Sequence, residues 1–254
     1  MVRYFLDTGP LVGVTFLHDL WRDEAKRLFE TDNSLSTSRA VIYEYCNSTS
    51  KNSLESEEVS WEADEGRFGD KLSKIRAAQT NLGIKLRSYA DEELDLETLV
   101  DEFIAVTRIE ENVYPQRLIR EIIRPNVRSF LRDEIDDQQV TCRVAREAMD
   151  ALCDTIIADA LEMRDLLQNR VMWGPTNEWA EEDRNRRLSF VDGNIDRVIL
   201  CDANHQRNRN IIGKIVTSDK SHMYGNRDRI KAVLGLPVVY VKDEFADPDL
   251  PTGD

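Results

Sequence analysis

The chain has 254 residues, enough for one large domain or a smaller one carrying an insertion, and enough to bury a real core. No apolar run approaches the roughly 20 residues of a membrane-spanning helix, and the N-terminus lacks a signal-peptide pattern, so a cytoplasmic protein with no membrane partner is expected. The formal net charge is −14, which on global charge alone argues against a nucleic-acid partner.

The make-up of that charge qualifies the exclusion. The 34 basic residues are 9 Lys and 25 Arg, with no lysine between Lys85 and Lys214, against 48 Asp and Glu. Excess acid with few lysines suits a salt-rich cytoplasm, where ionic strength screens self-repulsion, so a halophilic source is expected. Local arginine placement then says more about partners than the total does. Cys46, Cys142, Cys153 and Cys201 are scattered without a C-x-x-C, which suggests neither a zinc knuckle nor a disulfide framework. His18, His205 and His222 are isolated and show no ligand spacing.

Residues 1–8 read as a strand that stops at a carboxylate. Val2, Tyr4, Phe5 and Leu6 suit a strand buried on both faces, and Asp7 follows at once. An acid at the carboxyl end of a first parallel strand points into the crevice where open α/β sheets bind ligands, although Asp7 or Thr8 could equally cap the next helix. Thr8-Gly9-Pro10 opens an apolar run. Leu11 to Leu17 and Trp21 to Phe29 read as helix, broken near His18-Asp19. A turn at 31–34 and a brief strand over Leu35 to Thr37 lead to Ser38, a good N-cap for a helix from Arg39 to about Ser50. Glu44 lies beside the apolar Val41, Ile42 and Tyr45, where a carboxylate must be paired, solvated or bound to a metal.

From Leu54 to Asn169 the character changes to long amphipathic helices with charged faces: Glu57–Tyr89, Leu94–Arg108, Pro115–Arg132 (kinked or restarted by Pro125) and Gln138–Leu167. Arg117, Arg120, Arg124, Arg128 and Arg132 are spaced three, four, four and four residues apart, a stripe along one helical face. Such a stripe could follow a phosphate backbone. It could equally be ion-paired surface, because Glu121 and Asp136 lie four residues after Arg117 and Arg132, which leaves Arg120, Arg124 and Arg128 as the candidates for RNA or partner contact. Trp173 to Asn177 reads as a loop, followed by a charge run from Glu181 to Arg187.

Asp192-Gly193-Asn194 is a turn, and a helix beginning near Asp196 places Asp196, Ile199, Leu200 and Ala203 on one face. Asp202 lies about 240° round that helix from Asp196 and faces elsewhere. After a loop from His205 to Asn210, the strand Lys214 to Thr217 ends, like the first, at an acid, Asp219. A last strand covers Val238 to Val241. The expected organisation is a sheet domain split into residues 1–53 and 171–242, a helical insertion over 54–170, and an acidic disordered tail over 243–254.

Asp7, Glu44, Asp196 and Asp219 thus have positional reasons to meet. The strand ending L-D-T, the helix carrying Glu44, the D-x-x-I-L-x-x-A helix and the I-V-T-S-D strand end together resemble the PIN-domain nucleases over about residues 1–50 and 190–242. The resemblance implies a PIN-like parallel-sheet α/β/α domain with a large all-helical insertion, and a ribonuclease that hydrolyses RNA phosphodiester bonds. It implies that Asp7, Glu44, Asp196 and Asp219 are the catalytic, metal-binding acids for magnesium or manganese, with Thr217 a polar helper on the substrate side. The chain departs from the family in its spacing of well over a hundred residues between Glu44 and Asp196, and in the longer segment from Asp196 to Asp219.

The chemistry suits these residue types in its own right. Magnesium prefers carboxylate oxygens and water, and paired metals can stabilise the attacking and leaving oxygens of an in-line displacement. Lys220, Arg227 and Arg229, on the chain leaving Asp219, are the nearest basic candidates for substrate phosphate; Arg207 and Arg209 fall at the far end of the Asp196 helix. RNA is the expected partner, with an antitoxin-like protein or a second copy of the chain as further candidates, since toxin, processing and decay nucleases all fit. Two other readings stand beside this one. One is a non-catalytic PIN-like module that binds RNA or protein. The other is a haloacid-dehalogenase-type phosphatase, faintly echoed at 192–196, whose second acid is here Gly9.

Overall fold

A computed structural model describes residues 1–16, 19, 21–48, 58–107, 119–136, 138–177 and 179–246, and divides the chain into two compact units. The first comprises Met1–Thr15, Trp21–Gly69 and Glu162–Asp254; the second comprises Phe16–Leu20 and Asp70–Leu161. Among the described residues no helix is long and apolar enough to cross a membrane.

The first unit is α/β and is built on a five-stranded, all-parallel sheet. Its strands are β1 (Arg3–Leu6), β2 (Ser34–Thr37), β3 (Met172–Trp173), β4 (Lys214–Thr217) and β5 (Val238–Tyr240), in the order β3-β2-β1-β4-β5. Phe5 and Leu6 on the central strand, and Ile215 and Val216 on its neighbour, are fully buried, as strands covered on both faces must be. β1 pairs Phe5 with Ser36 on one side and with Ile215 on the other. The chain winds from β1 towards β3 and then returns to the opposite side of β1 to place β4 and β5. The order therefore reverses between β1 and β4, the point at which open parallel sheets leave a crevice beyond the strands' carboxyl ends.

Helices α1 (Thr8–Thr15) and α2 (Arg22–Glu30) connect β1 to β2. α1 starts directly after Asp7 and is buried throughout, with Pro10 in the first turn, where its missing N–H has no helical partner to lose. α3 (Arg39–Ile42) widens into a π-helical turn over Tyr43–Asn47. The following segment is stitched onto that turn. Glu65 N–H donates to Cys46 O, Asn47 exchanges hydrogen bonds with the Ser60 backbone, and Arg164 holds Asp64 and the Ala63 carbonyl. Gly66 sits at φ +61°, where a Cβ would stand 2.7 Å from the Glu44 carbonyl oxygen, so only glycine lets the chain pass this close. Helix α4 (Gly66–Lys85) begins there.

The second unit is helical in its described parts. It contains the rest of α4, α5 (Leu96–Thr107), α6 (Arg124–Ile135) and the first part of α7 (Cys142–Arg170). Leu82, Leu99, Phe103, Leu131 and Leu152 belong to one buried apolar cluster, each worth roughly 1.5–3 kcal/mol of transfer free energy. Glu102 is buried in the second unit; its Oε1 accepts from the Tyr89 hydroxyl and its Oε2 is ion-paired with Lys85.

Several boundaries differ from those expected of the sequence. The helix expected over 39–50 runs as α-helix to Ile42 and continues as the π turn to Asn47, with Ser48 extended; residues 49 and 50 lie outside the described residues. Over its described part the expected Glu57–Tyr89 helix is shortened to α4 by the stitched segment, and the Leu94–Arg108 and Gln138–Leu167 helices become α5 and α7; Glu57 and Arg108 lie outside the described residues. Pro125 does not kink a long helix. It stands in the first turn of α6, which restarts after a π turn over Ile119–Ile123; the part of that expected helix from 115 to 118, with Arg117, lies outside the described residues. Trp173 is not loop: with Met172 it forms the edge strand β3, paired with Thr37. The run from Glu181 to Arg187 is helix α8, and the helix carrying Asp196, α9 (Asn194–Asn208), absorbs most of the loop expected at 205–210. Helix α10 (Arg227–Leu234) precedes β5. The expected disordered tail begins in order. Val241–Glu244 is a helical turn, α11, in which Glu244 accepts hydrogen bonds from Tyr4 and Lys214; residues 247–254 lie outside the described residues.

Candidate metal centre

Asp7, Glu44, Asp196 and Asp219 line one cleft of about 520 Å³ in the first unit, together with Arg67, Asp192, Gly193, Ile195, Ser218 and His222. The fold explains the meeting. Asp7 ends β1, and Asp219 lies two residues beyond β4, the adjacent strand at the reversal point. Glu44 is carried on the π turn, a type of widening found often at functional sites, and Asp196 stands in the first turn of α9.

Hydrogen bonds fix three of the four acids. Asp7 is 6% exposed; its Oδ1 accepts from the Thr8 N–H at 2.7 Å and its Oδ2 from the Thr217 hydroxyl at 2.7 Å. Thr8 Oγ1 in turn donates to Glu44 Oε2 at 2.5 Å, while Arg67 donates to Glu44 Oε1 at 2.6 Å. Asp219 Oδ1 accepts from the backbone N–H groups of Ser221 and His222, and its Oδ2 lies 3.2 Å from His222 Nδ1. Asp196 makes no side-chain hydrogen bond to another described residue.

The electrostatics set Asp7 and Asp196 apart from Asp219. Burial pushes Asp7 up to about 6, the charge of Glu44 adds to this, and Thr217, Arg67 and Thr8 pull only partly back. Burial likewise pushes Asp196 up to about 7, reinforced by the charges of Asp7, Glu44 and Asp219. Burial acts on Asp219 in the same upward direction, but the donors at His222 and Ser221 outweigh it and hold that carboxyl below its ordinary value. Desolvation works against the charge on Arg67, and Glu44 and Asp7 more than compensate, keeping it protonated. Two carboxyls that resist ionisation beside two others form a site short of positive charge, which an added cation would relieve.

Oxygen donors of this kind suit magnesium or manganese better than zinc. Among the described residues no three His, Cys, Asp or Glu are already drawn together as a closed metal-binding group. That is compatible with magnesium, which is often held by one or two carboxylates and otherwise by water. The donor set therefore fits an open, hydrated site.

The other candidate residues are placed differently. Thr217 is fully buried, donates to Asp7 and accepts from the Asp219 N–H at 2.9 Å, so it ties two acids together and has no face for substrate. Lys220 is exposed outside the cleft lining. Arg227 stacks on Tyr224 and Arg229 on Phe190, and neither lines the cleft. In the second unit Arg124 pairs with Asp101 and Arg128 with Glu97, so the arginine stripe is largely neutralised by acids of α5; Arg120 is exposed. Asp202 is buried against the Asn177 N–H, away from the cleft lining.

Sequence reasoning missed Arg67, and it treated His222 as isolated although the residue stands against Asp219. The one available hint for Arg67 was the glycine before it, which breaks the helical run. Gly9 bears on the phosphatase reading: a Cβ there would lie 1.7 Å from Ser218 Oγ, so the position that chemistry needs for a second acid admits no side chain without displacing Ser218. Comparison with protein-family models, curated proteins and solved structures finds no match to this chain.

Proposed function

We propose that the first unit is a PIN-like, metal-dependent ribonuclease that hydrolyses RNA phosphodiester bonds. The observation that carries this reading is the convergence of four carboxylates from distant parts of the chain on one cleft, at the reversal point of a parallel sheet. Asp7, Glu44, Asp196 and Asp219 would hold magnesium or manganese. When bound, such an ion supplies a nucleophilic water at neutral pH and stabilises charge on the phosphoryl oxygens.

The chain's own residues do the positioning. Thr217 and the Thr8 N–H fix both oxygens of Asp7, and Thr8 Oγ1 fixes one oxygen of Glu44, so two donors sit in set orientations before any ligand arrives. The amides of Ser221 and His222 keep Asp219 ionised and aimed. Asp196, free of such bonds, is the acid that can reorient towards an incoming cation. The bare acids would repel a phosphodiester, so RNA binding should depend on the metal. The test is incubation of the purified protein with single-stranded RNA and magnesium or manganese, with Asp7→Asn alongside. Endonucleolytic products that need the metal and vanish in the variant support the reading; a wild-type protein inert with either ion counts against it.

A further inference from the structure

Arg67 is the one permanent cation among the residues that line the acidic cleft. It enters through the segment over 58–66, whose hydrogen bonds to the π turn and whose glycine at φ +61° bring the start of α4 against the backbone of Glu44 itself. Arg67 is thus placed by the same π turn that carries Glu44, and its position relative to that acid is fixed by backbone contacts.

The guanidinium is only partly used. Of its five N–H donors, the Nη2 group bonds Glu44 Oε1 at 2.6 Å, and this is its one side-chain hydrogen bond among the described residues. The side chain is 50% exposed, while that of Glu44 is 13% exposed, so the guanidinium is held on one side and open to solvent within the cleft lining. A planar fork with spare parallel donors is the group best matched to two phosphate oxygens. Lys220, Arg227 and Arg229 do not line the cleft, which leaves the substrate's charge with no other permanent cation among the lining residues.

We propose that Arg67 is the phosphate-binding residue of this cleft, bonded to Glu44 on one side and to a phosphodiester oxygen of single-stranded RNA on the other. The proposal rests on the ribonuclease reading and adds its substrate contact. The alternative is that Arg67 only neutralises Glu44.

The two are separated by fluorescence anisotropy of a short single-stranded RNA across a salt series, with all four acids retained and calcium, another oxygen-binding divalent cation, in place of magnesium to keep the RNA intact. Arg67→Gln should weaken binding about tenfold and make the salt slope shallower by about 0.7, the value for one phosphate contact on a single strand. Arg67→Lys should keep the slope, because the charge is retained, and weaken binding a few-fold through loss of the fork. Unchanged affinity and slope in Arg67→Gln, with wild-type cleavage intact, overturn the phosphate contact and leave the ribonuclease reading standing. If Arg67→Gln fails to fold, Arg67→Met, which also removes the charge, decides by the same readout, and affinity and slope equal to those of the parent overturn the proposal. No RNA binding in the Arg67 parent, together with no cleavage by wild type, overturns both readings.

Discussion

Asp196→Asn should make the protein more stable, and the gain should depend on pH. The carboxyl lies in the cleft with its pKa pushed from an ordinary value up to about 7 by burial and by the charges of Asp7, Glu44 and Asp219. A displacement of roughly three pKa units corresponds to a ceiling of about 4 kcal/mol. The cleft is open to water and salt, so about half of this, ~2 kcal/mol, is the expected gain. At roughly 2–4 °C per kcal/mol for a chain of this size, Tm should rise by about 4–8 °C at pH 8 in EDTA. The sign follows from proton binding. The folded-state pKa is raised, so the wild-type acid costs nothing below about pH 4, and the cost grows as pH rises through about 7. The difference between variant and wild type should therefore shrink to roughly a third at pH 5. Asparagine breaks no described hydrogen bond at this position, so little opposes the gain. Thermal melts followed by circular dichroism at both pH values provide the assay. A Tm gain of equal size at pH 5 and pH 8, or a loss at pH 8, would refute the claim that repulsion dominates at Asp196.

Asp219→Ala should act in the opposite direction, because this carboxyl's pKa is lowered and it accepts the Ser221 and His222 amides. Loss of such a cap costs about 1 kcal/mol, so Tm at pH 7 should fall by about 2–4 °C, and the loss should fade as pH drops below the ordinary carboxyl range. Gly66→Ala places a methyl 2.7 Å from the Glu44 carbonyl oxygen at a positive φ. It should cost at least about 1–2 kcal/mol in chemical denaturation and weaken manganese binding by calorimetry, because the turn carrying Glu44 must shift. Arg124→Gln with Arg128→Gln should leave the salt slope of RNA binding unchanged, since both guanidiniums already face Asp101 and Glu97, and should cost no more than about 1 kcal/mol per pair.

What the sequence disclosed is what a short window carries. β1 and β4 are legible because strands buried on both faces are uniformly apolar and each is followed closely by an acid, and the phase of α9 separates Asp196 from Asp202 within two turns. The residues that were missed depend on partners far along the chain. Arg67 reaches Glu44 because 58–66 is stitched to a turn more than ten residues earlier, and nothing at Arg67 itself announces that. The arginine stripe read as unpaired because only acids on the same helix were weighed; its partners lie 23 and 31 residues away on α5. β3 has two residues, too few for any periodicity, and is specified by its pairing with β2. The π turn that carries Glu44 likewise has no local pattern to mark it.

The most direct test of the account is the metal dependence of RNA hydrolysis by the purified chain and by Asp7→Asn, measured as endonucleolytic products on a single-stranded substrate in magnesium or manganese and again in excess EDTA. The account predicts cleavage by wild type with metal only, and none by the variant under either condition. Cleavage that persists in EDTA, or in Asp7→Asn at the wild-type rate, would contradict it.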